Sequence, residues 1–491
     1  MAFNTFTYII FLFFVVSLCW AAPRRFFSGI VLLASVLFYG LWRPEFLLLL
    51  LFSIGMDYLF CLGIEAEGSR IRRRALLIAS IVMNLGILAF FKYGNFFISQ
   101  ANSLSGTILV LPMDIILPMG ISFYIFHSLS YVFDVYRGSY KAERNFVTYC
   151  NYVIFFPLLV AGPILRASEV IPQVQLRPDF HFGQFIAGIK RILYGLFLKV
   201  VLADQIGSLV NDAAQVGAQG VGAIDVWTIA ILFGFQIYFD FSAYSSIAIG
   251  SAALLGIRFP ENFNFPYLST SPKEFWTRWH ISLSSWIRDY LYLPLSGMKK
   301  WGKTANGLAE VVDDNAGHHR TLALFLTWGI MGFWHGANWT FVLWGLWHAT
   351  LVYAYRLKTR LWPGQVSPAL GWAVTFPLVM LGWIPFRIPS VGDTLTMWEK
   401  VVTPSQYFSP ELLPEGKLAA LHLSLAANAY IVCALLVMMT ALTPLAHHCL
   451  HRWRTSPPLL AFTAETATLA VVTALDFTFL KTTYQFIYFQ F

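Results

Sequence analysis

Apolar residues run along this chain in long blocks, not in the short alternations of a soluble fold. Crossing a hydrocarbon core of about 30 Å takes about 20 such residues in a helix. Blocks of that kind lie near 5–22, 28–41, 44–63, 76–91, 108–136, 147–165, 185–206, 225–256, 321–355, 370–388, 426–446 and 462–480. Some are long enough for two elements, so the pattern predicts an all-α, multi-pass membrane protein with about eleven to thirteen spans. Met1 to Thr5 carry no charge ahead of the first block, and more apolar sequence follows it, which predicts a retained first helix and not a signal peptide. The polar stretches at 297–320 and 389–425 are expected to hold interfacial helices or docking loops. No repeat of fixed period divides the chain, and residues 1–491 are expected to form a single membrane domain.

Composition sharpens this picture. With 57% hydrophobic and only 12% charged residues the chain lacks the polar surface of an ordinary soluble domain. The net charge of +8 sits largely in short runs between apolar blocks, where basic residues set orientation and do not grip nucleic acid. Arg24 and Arg25 follow the first block and Arg70, Arg72, Arg73 and Arg74 the third, whereas the turn after the second holds Arg43 and Glu45. This asymmetry predicts an outside N-terminus. The five cysteines are scattered, without CxxC spacing, and suggest no disulfide framework. His447 and His451 flank Cys449 at helical spacing, but in a run with Arg452 and Arg454 they read as a basic cytoplasmic flank before they read as a metal site. No metal is expected.

Two places are too polar for lipid. Residues 257–300 place Lys273, Glu274, Arg278, Arg288 and Asp289 among prolines and aromatics. Each charge at the bilayer centre costs about 2.5–3.5 kcal/mol, so this stretch does not cross as plain helix. It is either a re-entrant segment in a protein-lined cavity or an aromatic belt with snorkelling cations. Residues 328–348 then carry His335 between Trp334 and Gly336, with Asn338 close behind. A histidine in such a span needs partners or a task, because an unsatisfied ring nitrogen in hydrocarbon is costly. His348, near the end of the same block, reads as a packing residue.

Several strings resemble one family. FKYGNFF (91–97), LPMGISFYIFHSLSYVFDVYRG (117–138), FFPLLVAGPILR (155–166), QIYFDFSAYSSIAIG (236–250), RFPENFNFPYL (258–268), EFWTRWHISLSSWIRDYLYLPL (274–295), GFWHGANWTFVLWG (332–345) and WIPFR (383–387) are similar, in order, to the membrane-bound O-acyltransferases, in their bacterial alginate O-acetylation branch. The closing FIYFQF (486–491) is also typical. The resemblance implies helices, some re-entrant or interfacial, around a central tunnel, with the acyl donor entering from the cytoplasm and the acceptor from the other side. It places the active-site histidine at His335 and the second histidine of the pattern at His280. The chain departs from the pattern at Ala243 and Ser246, where relatives have Gly and Asp, at PLSGMK (294–299), and at His127, where Gln or Glu is common.

Acyl transfer from a thioester to a hydroxyl needs a base for the alcohol proton, and imidazole, with an ordinary pKa near 6.5, suits that task. His335 is the expected base. His280 is expected to polarise the carbonyl, orient the nucleophile or relay the proton. Trp334, Asn338 and Arg278 are candidate donors to the oxyanion, and Trp279 a supporting residue. Asp134, Arg137, Asp240, Arg288 and Asp289 read as structural partners. No GxSxG elbow, HExxH or Walker loop competes.

The resemblance further implies acetyl-CoA as donor with no tightly bound cofactor, an exopolysaccharide such as alginate or cellulose as final acceptor, periplasmic O-acetylation proteins as partners, and a place in the bacterial inner membrane. Two alternatives stay open at this point. One is an acyltransferase fed by a carrier-protein thioester, as in the D-alanyl branch. The other is a transporter or channel with pore-lining histidines.

Overall fold

The computed structural model describes residues 3–159, 162–175, 177–214, 217–297, 302–304, 307–309, 317–364, 366–407, 430–437, 439 and 458–479. They are helical apart from loops and one antiparallel pair, Gly302–Thr304 with Gly307–Ala309. Among the described residues four helices are long and apolar enough to cross a membrane: Pro44–Ala66, Arg70–Ser105, Ala223–Leu254 and Pro368–Arg387. Phe6–Ala21, Phe146–Leu159 and Thr468–Phe479 are shorter apolar helices. Of the expected block at 426–446 only 430–437, which is helical, and 439 are described, and the basic flank at His447 and His451 and the closing 486–491 lie outside the described residues.

Several expected spans turn out broken, each for a local reason. In the 108–136 block, Pro112, Pro118 and a left-handed Gly120 (φ 72°) keep the chain non-helical until Ile121–Arg137 begins. A Cβ on Gly120 would run into the Leu159 carbonyl. The 321–355 block is two helices, Gly317–His335 and Trp339–Leu361, separated by residues 336–338. Of the polar stretches, 389–425 yields the amphipathic helix Val391–Val402, which buries Thr394, Met397 and Val401 on one side.

The chain clusters into two compact units: Met1–Val201 with Phe241–Glu261 and Ala446–Phe489, and Leu202–Asp240 with Asn262–Leu445 and Gln490–Phe491. In the first, Asp57 on Pro44–Ala66 is fully buried. Ser80 donates to its Oδ1 (2.6 Å), and Asn84 Nδ2 donates to both oxygens (3.0 and 2.9 Å). Each oxygen of this intramembrane carboxyl therefore has a donor, as burial in lipid surroundings demands.

In the second unit, Gly317–His335 and Trp339–Leu361 form an antiparallel hairpin whose closeness depends on missing side chains. A Cβ on Gly332 would strike the Phe341 carbonyl, one on Gly345 the Trp328 carbonyl, and one on Gly336 the Phe341 ring. Small residues at such crossings let backbones approach, the main route to dense helix packing where lipid supplies no hydrophobic drive. Asn338 starts the second helix by accepting the Thr340 N–H (3.0 Å). Gly332→Val is expected to destabilise the solubilised protein by about 1–3 kcal/mol. Gly329→Ala, whose Cβ meets only Leu346 at 3.9 Å, should stay within about 0.5 kcal/mol of the parent. Thermal unfolding of the two variants checks this, and equal effects would contradict it.

Candidate active site

His335 closes the first helix of the hairpin and is buried. Its Nδ1 stands 2.7 Å from the Met331 carbonyl oxygen one turn back. A carbonyl only accepts, so Nδ1 carries the proton and the neutral ring presents Nε2 as its basic nitrogen. Aromatic rings fix the ring plane: Trp334 and Trp344 each stand edge-on at 4.7 Å between centroids, and Phe386 at 5.4 Å.

His280 sits between the seven-residue helix Pro272–Arg278 and the helix that starts at Ile281–Ile287 and runs on through a π turn to Leu295, neither long enough to span. Its backbone is left-handed (φ 40°), a conformation that costs a non-glycine residue about 1–3 kcal/mol and persists only where the surroundings impose it. The imposing element is the loop at 262–264. The Asn264 N–H donates to the Arg278 carbonyl, and the Ile281 N–H to the Asn262 carbonyl, both at 2.9 Å. Asn262 Oδ1 then accepts from the Ser282 N–H (3.2 Å) and Ser282 Oγ (2.8 Å) and lies 3.2 Å from His280 Nδ1. Because a backbone N–H points at it, the Asn262 atom is the oxygen, and His280 Nδ1 must donate. Both imidazoles thus keep their Nε2 nitrogens unprotonated by the same device, an oxygen acceptor at Nδ1. His280 is fully buried, and its burial, with the nearby His335 as the second cause, pushes the ring well below its ordinary pKa. The two histidines therefore lie within electrostatic reach of each other.

A run of aromatic rings joins them. Trp279 packs on Trp383 at 4.9 Å, Trp383 on Trp344 at 6.1 Å, and Trp344 on His335. The other candidates have different settings. Asn338 caps its helix, and its Nδ2 donates to the Pro389 carbonyl (2.8 Å), so this amide is spent on joining two loops beside His335. Arg278 pairs with Glu274 (2.7 Å) and reaches the Asn264 carbonyl (3.4 Å), which ties the His280 turn together. Arg288 pairs with its neighbour Asp289 (2.8 Å). His348 is a packing residue with a difference: it is fully buried among Trp276, Trp328 and Trp344, and neither ring nitrogen has a hydrogen-bond partner among the described residues.

Sequence reasoning missed Asn262, Trp344, Trp383 and Phe386. Asn262 stands in a quoted string, but its pairing with a turn 18 residues away leaves no local trace.

With this geometry in view, comparison with known proteins is decisive on class. The family model described as MBOAT, membrane-bound O-acyltransferase family, matches residues 82–376. The chain belongs to this family, and it is a multi-pass membrane O-acyltransferase. Enzyme is thereby favoured over transporter. It is 37% identical over 436 residues to a probable alginate O-acetylase of Azotobacter vinelandii, covering 88% of this chain and 83% of the relative. It is 32% identical to the peptidoglycan O-acetyltransferase of Helicobacter pylori (76% and 73% covered). To the teichoic acid D-alanyltransferase of Streptococcus thermophilus it is 30% identical over 55% of this chain and 68% of the relative.

Asn262→Ala is expected to lower acyl-transfer turnover about 10- to 100-fold by freeing the His280 ring. Ser284→Ala removes a bond to the Trp279 carbonyl (3.1 Å) and not one to the ring, and should cost less than about threefold. Turnover assays on folded variants decide it; equal losses would show that Asn262 acts only on the fold.

Proposed function

We propose that this protein is an inner-membrane O-acetyltransferase that takes acetyl groups from cytosolic acetyl-CoA and delivers them for O-acetylation of an exopolysaccharide outside the cytoplasm, with periplasmic proteins completing the modification. The observation that carries this reading is the pair of buried imidazoles, each with its Nδ1 proton directed to an oxygen acceptor, linked by the packed rings of Trp279, Trp383 and Trp344. The alginate and peptidoglycan acetylases among its relatives support acetyl as the group and a glycan as the acceptor.

In this reading His335 Nε2 takes the proton of the attacking hydroxyl as its oxygen bonds to the thioester carbonyl carbon. The tetrahedral intermediate collapses, the C–S bond breaks, and the imidazolium returns the proton to the thiolate. Ester and free thiol leave, and no covalent enzyme intermediate is needed. His280, neutral and oriented by Asn262, assists at the acceptor hydroxyl. Trp334 and Trp344 exclude water around the reacting nitrogen, which strengthens every polar interaction there.

The purified protein given labelled acetyl-CoA should hydrolyse the thioester or transfer its acetyl group. His335→Ala should lower that activity by a factor of about 100 or more, the usual scale for a general base. Unaltered turnover in His335→Ala would reject the assignment, and activity confined to a carrier-protein thioester would move the donor to the D-alanyl type.

A further inference from the structure

Three neighbouring helices of the first unit each carry a pair of oxygen-bearing side chains at i, i+4 spacing, and the pairs meet. They are Ser53 and Asp57 on Pro44–Ala66, Ser80 and Asn84 on Arg70–Ser105, and Tyr124 and Ser128 on Ile121–Arg137. All six are at most 1% exposed, and none belongs to the acyl-transfer site. Ser80 Oγ and Asn84 Nδ2 donate to the Asp57 carboxyl. The Asn84 amide is itself oriented, its Oδ1 accepting from Ser53 Oγ (3.3 Å) and its Nδ2 donating to the Ser80 carbonyl (3.0 Å).

These bonds satisfy the oxygens without cancelling the charge. Every donor to Asp57 is neutral, and no ion pair joins it among the described residues. An unbalanced carboxylate in a lipid-spanning helix is costly. The bonding pattern leaves a place for positive charge, because Oδ2 takes one donor and keeps a lone pair. Hydroxyls without a bond of their own stand around it. Ser128 Oγ lies beside both the Asp57 carboxyl and the Tyr149 hydroxyl, yet aligns with neither to form a hydrogen bond. Tyr149, on Phe146–Leu159, is buried with its ring held by Tyr131 at 4.8 Å and Tyr58 at 5.7 Å, and its Oη has no partner. Tyr124 Oη, one turn before Ser128, has none either.

We propose that Asp57 and these hydroxyls bind a monovalent metal cation of the size of Na+ between the three helices. The single carboxylate balances one positive charge, whereas a divalent ion would leave a net charge in lipid surroundings. Carboxylate and hydroxyl oxygens are the hard donors that such an ion takes. A proton on Oδ2 would also cancel the charge, but it engages one acceptor, whereas a metal ion draws on Ser128, Tyr124 and Tyr149 together. The ion ties three spans through side chains that have no other bond to make, so its binding is felt as stability of the fold.

The test follows thermal unfolding of the full-length protein in lipid nanodiscs, at fixed pH and ionic strength, as Na+ replaces N-methyl-D-glucamine, a cation too large for a site between packed helices. The wild type should gain stability with Na+ along a saturating curve, the form expected of a ligand that binds only the folded state. Ser128→Ala removes a hydroxyl that makes no hydrogen bond, so the fold is expected to survive, and the half-saturating Na+ concentration should rise about tenfold. Asp57→Asn should abolish the dependence. Should Asp57→Asn fail to fold, Ser128→Ala decides alone. Indifference of the wild type to Na+, an unchanged curve in Ser128→Ala, or a dependence that survives Asp57→Asn in folded protein would each overturn the proposal. Stability that follows pH and ignores Na+ would overturn it too, by making a proton the occupant.

Discussion

An oxygen acceptor facing Nδ1 of each buried histidine is the interaction on which the proposed chemistry depends. Imidazole in a dry interior has two tautomers, and only one leaves the outward nitrogen basic. For His335 the choice is made by the Met331 carbonyl of its own helix, and for His280 by the Asn262 side chain. The two solutions differ in cost. The helix supplies the first without distortion, whereas the second requires a left-handed backbone at His280 and a loop bonded on both sides of it. Strain of that kind persists only where the surrounding structure imposes it, and here the imposing contacts are the ones that also orient the His280 ring.

Close packing of backbone and indole rings makes this setting rigid. Glycines 332, 336 and 345 bring the two hairpin helices together so that Trp344 reaches across to the His335 ring. Trp383 and Phe386 from the next helix complete the surround. The same rings exclude water, so polar interactions within this surround are weakly screened. His348, enclosed by indoles, extends this aromatic block beyond His335.

Much of this was legible in the residues. The membrane class followed from apolar blocks and sparse charge, and His335 stood out because a histidine in such a block demands explanation. The reading of 257–300 as a segment that does not cross fits its resolution into short helices around His280. Breaks within apolar blocks were harder to see. The 108–136 block owes its late helix start to Pro118 and Gly120, and the 321–355 block is interrupted at 336–338, where Asn338 caps a new helix and Gly336 leaves room for the Phe341 ring, which no window of hydrophobicity registers. Roles assigned by residue type alone were the least secure. Asn338 has the right chemistry for an oxyanion donor, yet tertiary contacts direct it to a helix cap and the Pro389 carbonyl, while Asn262, distant in sequence, orients the second histidine.

The central claim is that both imidazoles act on one reacting centre. A double-mutant cycle on thioester turnover tests it most directly, using His280→Ala, His335→Ala and the combined variant in folded protein. Residues that act as a unit lose together, so the double variant should be about as impaired as the more damaged single one. Losses that multiply, as for independent sites, would contradict the account.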